Sequence, residues 1–130
     1  MLPIHHMVDR APRPVAPFSH AVEADGWMFV TGQMPTDPNA PDASLPDGIA
    51  AQTVRVMENL ELVLAGVDLG LENVTFVRVY LTEFKRDYQT MNEAYQAFFP
   101  EGRLPGRTCV GVSGLAVDAL VEIDLIARRP

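Results

Sequence analysis

Hydrophobic positions along the chain repeat with two different periods, and where one gives way to the other predicts the order of elements. Ser19–Glu23 and Trp27–Thr31 flank Ala24-Asp25-Gly26, and Asp-Gly between two apolar segments signals a hairpin because the turn demands positive φ. Trp27-Met28-Phe29-Val30 is apolar at every position, the pattern of a strand covered on both faces. Ile49, Val56, Leu60, Val63, Leu64 and Val67 share one stripe of a helix, while Arg55, Glu58 and Glu61 point elsewhere. Asp47 is placed to cap that helix, and Gly66 and Gly70 to end it. Val74–Leu81 is dense in β-branched and aromatic residues and reads as a strand. A second helix is expected from about Asp87, with Tyr88, Met91, Tyr95 and Phe98 on its apolar stripe and Pro100 stopping it. Arg107–Val112 and Ala119–Ala127 read as two further strands around Ser113-Gly114.

The expected order is therefore β-β-α-β-α-β-β, an α+β domain with one sheet and two helices. Residues 1–15, with Pro3, Pro12 and Pro14, read as an extended N-terminal arm ahead of a single domain over 16–130. Pro35 to Pro46, rich in Pro, Asp, Asn and Ala, reads as a loop. This order carries a packing problem, because two helices cover only one face of such a sheet. Trp27–Val30 is apolar on both sides, as are Val121, Ile123 and Leu125 opposite Leu120 and Ile126. Soluble monomers avoid a large exposed apolar face. Self-association in a closed ring or dimer is expected, the alternative being that the arm and the long loop cover the face.

Composition narrows the possibilities further. At 130 residues and 48% hydrophobic, the chain can bury a core without staples and is not a disordered segment. The lone Cys109 forms no intrachain disulfide, which suits a reducing compartment. No apolar run approaches a membrane span, since Glu122 and Asp124 break the strongest one. Met1–Met7 lacks the pattern of a secretory signal, so the cytoplasm is the expected location. The net charge of −7, with one lysine and nine scattered arginines, opposes nucleic-acid binding, which needs clustered cations. One buried arginine can still reverse the potential locally for a small anion.

No metal site is expected: His5, His6 and His20 lack metal-ligand spacing, and Cys109 has no second cysteine. There is no Gly-rich phosphate loop. Ser19 and His20, adjacent on a strand, point to opposite faces and do not make a nucleophile–base pair. Three polar residues stand in apolar company, Arg107, Glu122 and Asn92. An arginine fork on a strand suits a carboxylate, and a carboxylate in a dry pocket acquires a raised pKa and can manage a proton or orient water. Alternatively Arg107 and Glu122 form one structural ion pair; spacing alone leaves both readings open. Asn92, on the edge of an apolar stripe, needs partners because an unpaired buried amide costs about 1–3 kcal/mol. Cys109 reads as a small buried hydrophobe more readily than as a reactive thiol.

Several segments together resemble the RidA/YjgF family: Pro17-Phe18-Ser19, Phe29-Val30-Thr31-Gly32-Gln33, Gln52-Thr53 through Glu58-Asn59-Leu60, Val79-Tyr80-Leu81-Thr82, Met91–Pro100, Pro105–Val110 and Leu120–Ile123. They recur in order over about residues 16–128. The resemblance implies a chorismate-mutase-like fold, with one mixed sheet carrying both helices on one face, and a homotrimer with sites between subunits. It implies a cofactor-free enamine/imine deaminase that hydrolyses 2-aminoacrylate or 2-iminopropionate to a 2-oxo acid and ammonia. On that resemblance Arg107 is similar to the family's carboxylate-binding arginine, and Glu122 to its water-activating glutamate. Asn92 and Cys109 are similar to residues lining its cleft, and Thr31-Gly32 to its Ser/Thr-Gly pair. Phe18 departs from the pattern: many active members carry Tyr there, and Phe lacks the hydroxyl. This departure admits a sensor that binds a small carboxylate without turnover. Ala24-Asp25-Gly26, Asn73–Phe76 and Asp118–Glu122 resemble the branch acting on aminoacrylate from pyrimidine breakdown. Some relatives are described as ribonucleases or translation inhibitors, a reading that the charge of −7 opposes.

Overall fold

In a computed structural model describing residues 1–130, the sheet has six strands and one face of it carries two helices. In chain order these are β1 (Ile4–His6), β2 (Ala21–Ala24), β3 (Trp27–Gln33), α1 (Ile49–Gly66), β4 (Val74–Leu81), α2 (Phe84–Gln96), β5 (Gly106–Gly111) and β6 (Val121–Arg128). Strands lie in the order β1-β2-β3-β6-β4-β5. Only β4 and β5 run parallel, with α2 as their crossover, so the sheet is mixed. The α+β class and the two-helix, one-sheet layout match expectation.

The hairpin forms where Asp-Gly asks for it, with Asp25 at φ 52° and Gly26 at φ 80°. Every residue of the expected α1 stripe is buried. Three expectations need correction. The arm contributes a sixth strand, since Ile4–His6 pairs antiparallel with β2; three residues with two histidines carry no period to reveal it. Asp47 does not cap α1: Gly48 occupies that position, without a side-chain cap. The second helix begins at Phe84, a turn earlier than Asp87, because Glu83 already supplies the carbonyl for the Asp87 N–H.

The core lies between the sheet and the helices, where Val77, Val79, Leu81, Val121, Ile123 and Leu125 meet Val56, Leu60, Leu64 and Met91. Buried polar side chains tie the loops to it. Gln52 takes the Leu120 N–H and donates to Pro46 O, and the Asn59 amide donates to Met34 O and Thr36 O. His20, buried, accepts from Val8 N at 2.8 Å and donates to Pro12 O at 2.7 Å, fastening the arm. Val8 of the arm lies against Gly66 on the helix side, and the arm leaves Trp27 and Phe29 of the opposite face uncovered. That face remains open in one chain. Trp27 and Phe29 are 41% and 48% exposed; β3 is thus covered on one side only within the protomer, and the apolar face persists as the packing argument requires.

Candidate functional site

Register decides which sheet face each polar residue occupies. Arg107 and Cys109 pair with Val77 and Val79, both buried beneath the helices, so they share the helix face. Glu122 pairs with Tyr80 and alternates with buried Val121 and Ile123, so it belongs to the open face. One strand also separates them, since β4 lies between β6 and β5. The structural ion pair left open by the sequence therefore does not form within one chain.

On the helix face, the half-buried Arg107 extends from edge strand β5 toward α2. Its guanidinium lies over the rings of Tyr95 and Tyr88, 5.1 and 5.9 Å from their centroids. It donates to the Met91 sulfur at 4.0 Å and to the Tyr88 hydroxyl at 3.4 Å. No acid partners it, unlike Arg78, Arg86 and Arg129, each of which holds a carboxylate. A depression of about 380 Å³ opens beside it, lined by Asn92, Tyr95, Gln96, Leu104, Pro105 and Arg107. Two oxygens in its wall, Asn92 Oδ1 and the Tyr95 hydroxyl, are enclosed and unpaired. Burial pushes the Tyr95 phenol up to about 12. Burial also raises the Cys109 thiol, with Arg107 acting in the opposite direction, so the sulfur is no thiolate nucleophile at neutral pH.

On the open face, Glu122 lies against Gly32, where any Cβ would overlap its carboxylate. The close approach rests on a bulge: β3 runs from Val30 to Gln33 while its partner runs only from Leu125 to Ile123. Burial raises the Glu122 pKa, and neighbouring Asp124 adds to it. Asp124 itself is gripped by Arg78 at 2.8 and 2.9 Å and accepts from Tyr80 at 3.1 Å. Thr31 commits its hydroxyl to Ser19 O at 2.7 Å. Phe18 meets Gly32 in the wall of a small crevice with Pro12, Pro14 and Met34.

Of the residues singled out by sequence, Arg107, Asn92 and Cys109 stand on the helix face, and Glu122, Thr31, Gly32 and Phe18 belong to the other half. The tyrosines gripping Arg107 were hidden, because at helical spacing they read as core.

A family model described as Endoribonuclease L-PSP matches residues 8–129. A RutC family protein of Pyrococcus horikoshii is 39% identical over 121 residues, covering 93% of this chain and 94% of that protein. The chain belongs to the RidA/YjgF family. Another member, the 3-aminoacrylate deaminase RutC of Acinetobacter baylyi, is 38% identical over 117 residues, 90% of each chain. Among solved RidA/YjgF structures, the Rid family protein YyfA of Yersinia pestis superposes with a TM-score of 0.91 at 27% identity, covering 98% of this chain and all of that one. TdcF of E. coli, solved with bound serine, gives 0.87 at 29% identity, covering 96% of this chain and 99% of TdcF.

Proposed function

We propose that this RidA/YjgF member is an enamine/imine deaminase that hydrolyses small 2-aminoacrylate-type intermediates to 2-oxo acids and ammonia, in clefts between subunits of a homotrimer. The observation that carries the reading is the unpartnered Arg107 guanidinium at the rim of a cleft whose wall holds unpaired oxygens. Such a cation is an anchor for a carboxylate. Family membership and the likeness to a deaminase-named relative support it.

The chemistry asks little of the protein. The imine carbon is electrophilic, so water adds its oxygen there while the C=N electron pair moves to nitrogen, which takes a proton. The resulting carbinolamine loses ammonia as its C–O bond becomes a carbonyl. An enamine first takes a proton on carbon to become the imine. Glu122, with its raised pKa, is suited to take the proton from water and return it to the departing nitrogen. Positioning substrate and water supplies the rest. Because Glu122 and Arg107 occupy opposite faces, the Arg107 of one copy would meet the Glu122 of another.

The test is quenching of 2-aminoacrylate generated in situ by a pyridoxal-phosphate enzyme. Arg107→Ala should lose it while the oligomer persists, and full activity in that variant overturns the assignment. Phe18 favours a second reading, a sensor of small carboxylates; pyruvate binding without any ammonia release would select it. TdcF with bound serine is consistent with small amino or oxo acids as the ligand class.

A further inference from the structure

The way Arg107 is held differs from that of the other well-placed arginines of the chain. Arg78, Arg86 and Arg129 are each fixed by a carboxylate at 2.6–2.8 Å, which orients the cation but neutralises it and consumes its fork. Arg107 is fixed by ring faces instead, Tyr95 at 5.1 Å and Tyr88 at 5.9 Å. Each ring is itself braced: Tyr88 stacks on Phe84 at 4.7 Å with 23° between planes, and Tyr95 tilts against Phe99 at 5.1 Å. Phe84, Tyr88, Tyr95 and Phe99 thus form an aromatic column along α2 and just beyond it, with the guanidinium between its two middle members. A ring face attracts a cation through its quadrupole and leaves the full charge in place. Of the five N–H donors of a guanidinium, one meets the Tyr88 hydroxyl and one the Met91 sulfur. Enough remain for a two-toothed grip on a carboxylate.

We propose that Tyr88 and Tyr95 are positioning residues for Arg107, holding the guanidinium by their ring faces so that it is oriented for a carboxylate yet carries its whole charge. The ring faces do this, and the hydroxyls do not. The Tyr95 hydroxyl is unpaired, and that of Tyr88 reaches Arg107 only at 3.4 Å. This inference rests on Arg107 being the carboxylate anchor.

The experiment titrates pyruvate into the intact oligomer by calorimetry and measures KM and kcat for 2-aminoacrylate quenching. Tyr88→Leu, at a position 36% exposed, endangers the fold least. It should weaken pyruvate binding about 5- to 30-fold, the worth of a cation–ring contact at a partly desolvated site, and raise KM with kcat nearly constant. Tyr88→Phe should bind within about threefold of the parent, because the ring face survives. Tyr95→Leu and Tyr95→Phe should repeat the contrast. Undiminished binding in Tyr88→Leu and Tyr95→Leu, with Arg107→Ala binding nothing, overturns the positioning role alone. So does a loss in the Phe variants equal to that in the Leu variants. Binding retained in Arg107→Ala, or absent from the parent, overturns the anchor and the positioning role together.

Discussion

Arg107 and Glu122 lie on opposite faces of one sheet, in strands separated by a third. At the usual strand spacing that is about 10 Å sideways besides the thickness of the sheet, beyond the span of a three-carbon acid. On the proposed reading, a site using both residues therefore needs two copies. Mixing inactive Arg107→Ala with inactive Glu122→Gln, by unfolding and refolding them together, should restore activity. With random assembly, about one cleft in four joins the two intact residues, so recovery should approach a quarter of the parent rate. No recovery in mixed oligomers verified by mass spectrometry would argue for a site within a single chain.

Gly32 offers a sharper test of the open-face half. The Glu122 carboxylate occupies the space a side chain would need, so Gly32→Ala must displace one or the other. Overpacking of this kind costs about 1–3 kcal/mol, visible as a lowered Tm. A carboxylate moved by an ångström should lower kcat about 100-fold. An unchanged rate would show that Glu122 does not need its present position.

The exposed Phe29 sits on the uncovered face, in a depression of about 640 Å³ with Val22, Phe76, Arg78 and Ile126. A charge there cannot be buried against another copy without a severe penalty. Phe29→Glu should run as a folded monomer in size-exclusion chromatography with light scattering, with its circular dichroism intact, and it should be inactive. An oligomer of unchanged mass would move the association surface elsewhere.

Acid stability should follow Glu23. Its carboxylate takes two bonds from Arg129, at 2.6 and 2.9 Å, and one from His6 at 3.0 Å. Arg129 foremost, then His6, hold its pKa at about 2 against an ordinary 4.5. A lowered pKa stabilises the fold above 4.5, and the contribution disappears as pH falls from there toward 2. Glu23→Gln should lower Tm at pH 7, with the difference closing across that window in thermal melts. A constant difference would mean that charge is not what the clasp uses.

Glu122 should behave with the opposite sign. Burial raises its pKa above 4.5, so the native state favours the protonated acid, and stability falls as pH rises through the raised value. Glu122→Gln should therefore raise Tm at neutral pH and leave it unchanged in acid, while abolishing turnover. A lowered Tm at pH 7 would show that the ionised form is stabilised in the assembled cleft.

Much of the molecule was legible from local pattern. Asp25-Gly26 specifies its hairpin through backbone sterics, the α1 stripe its buried side through helical period, and Val74–Leu81 its strand through β-branching. Each effect acts between residues close in sequence. The apolar open face could also be anticipated, because counting helices against sheet faces needs only the order of elements. The motifs around Arg107 and Glu122 marked both as candidate chemistry. Three things were not legible there. The β1 edge strand is held by pairing with β2 and by His6 on Glu23, and it has no period of its own. Tyr88 and Tyr95 looked like core because helical spacing does not distinguish a ring packed on leucine from one packed on a guanidinium. The separation of Arg107 from Glu122 depends on strand order and on the register of β5 and β6 against β4. Local residue preferences determine which elements form; the face each polar side chain reaches follows from pairing between strands distant in sequence, and only the folded chain settles that.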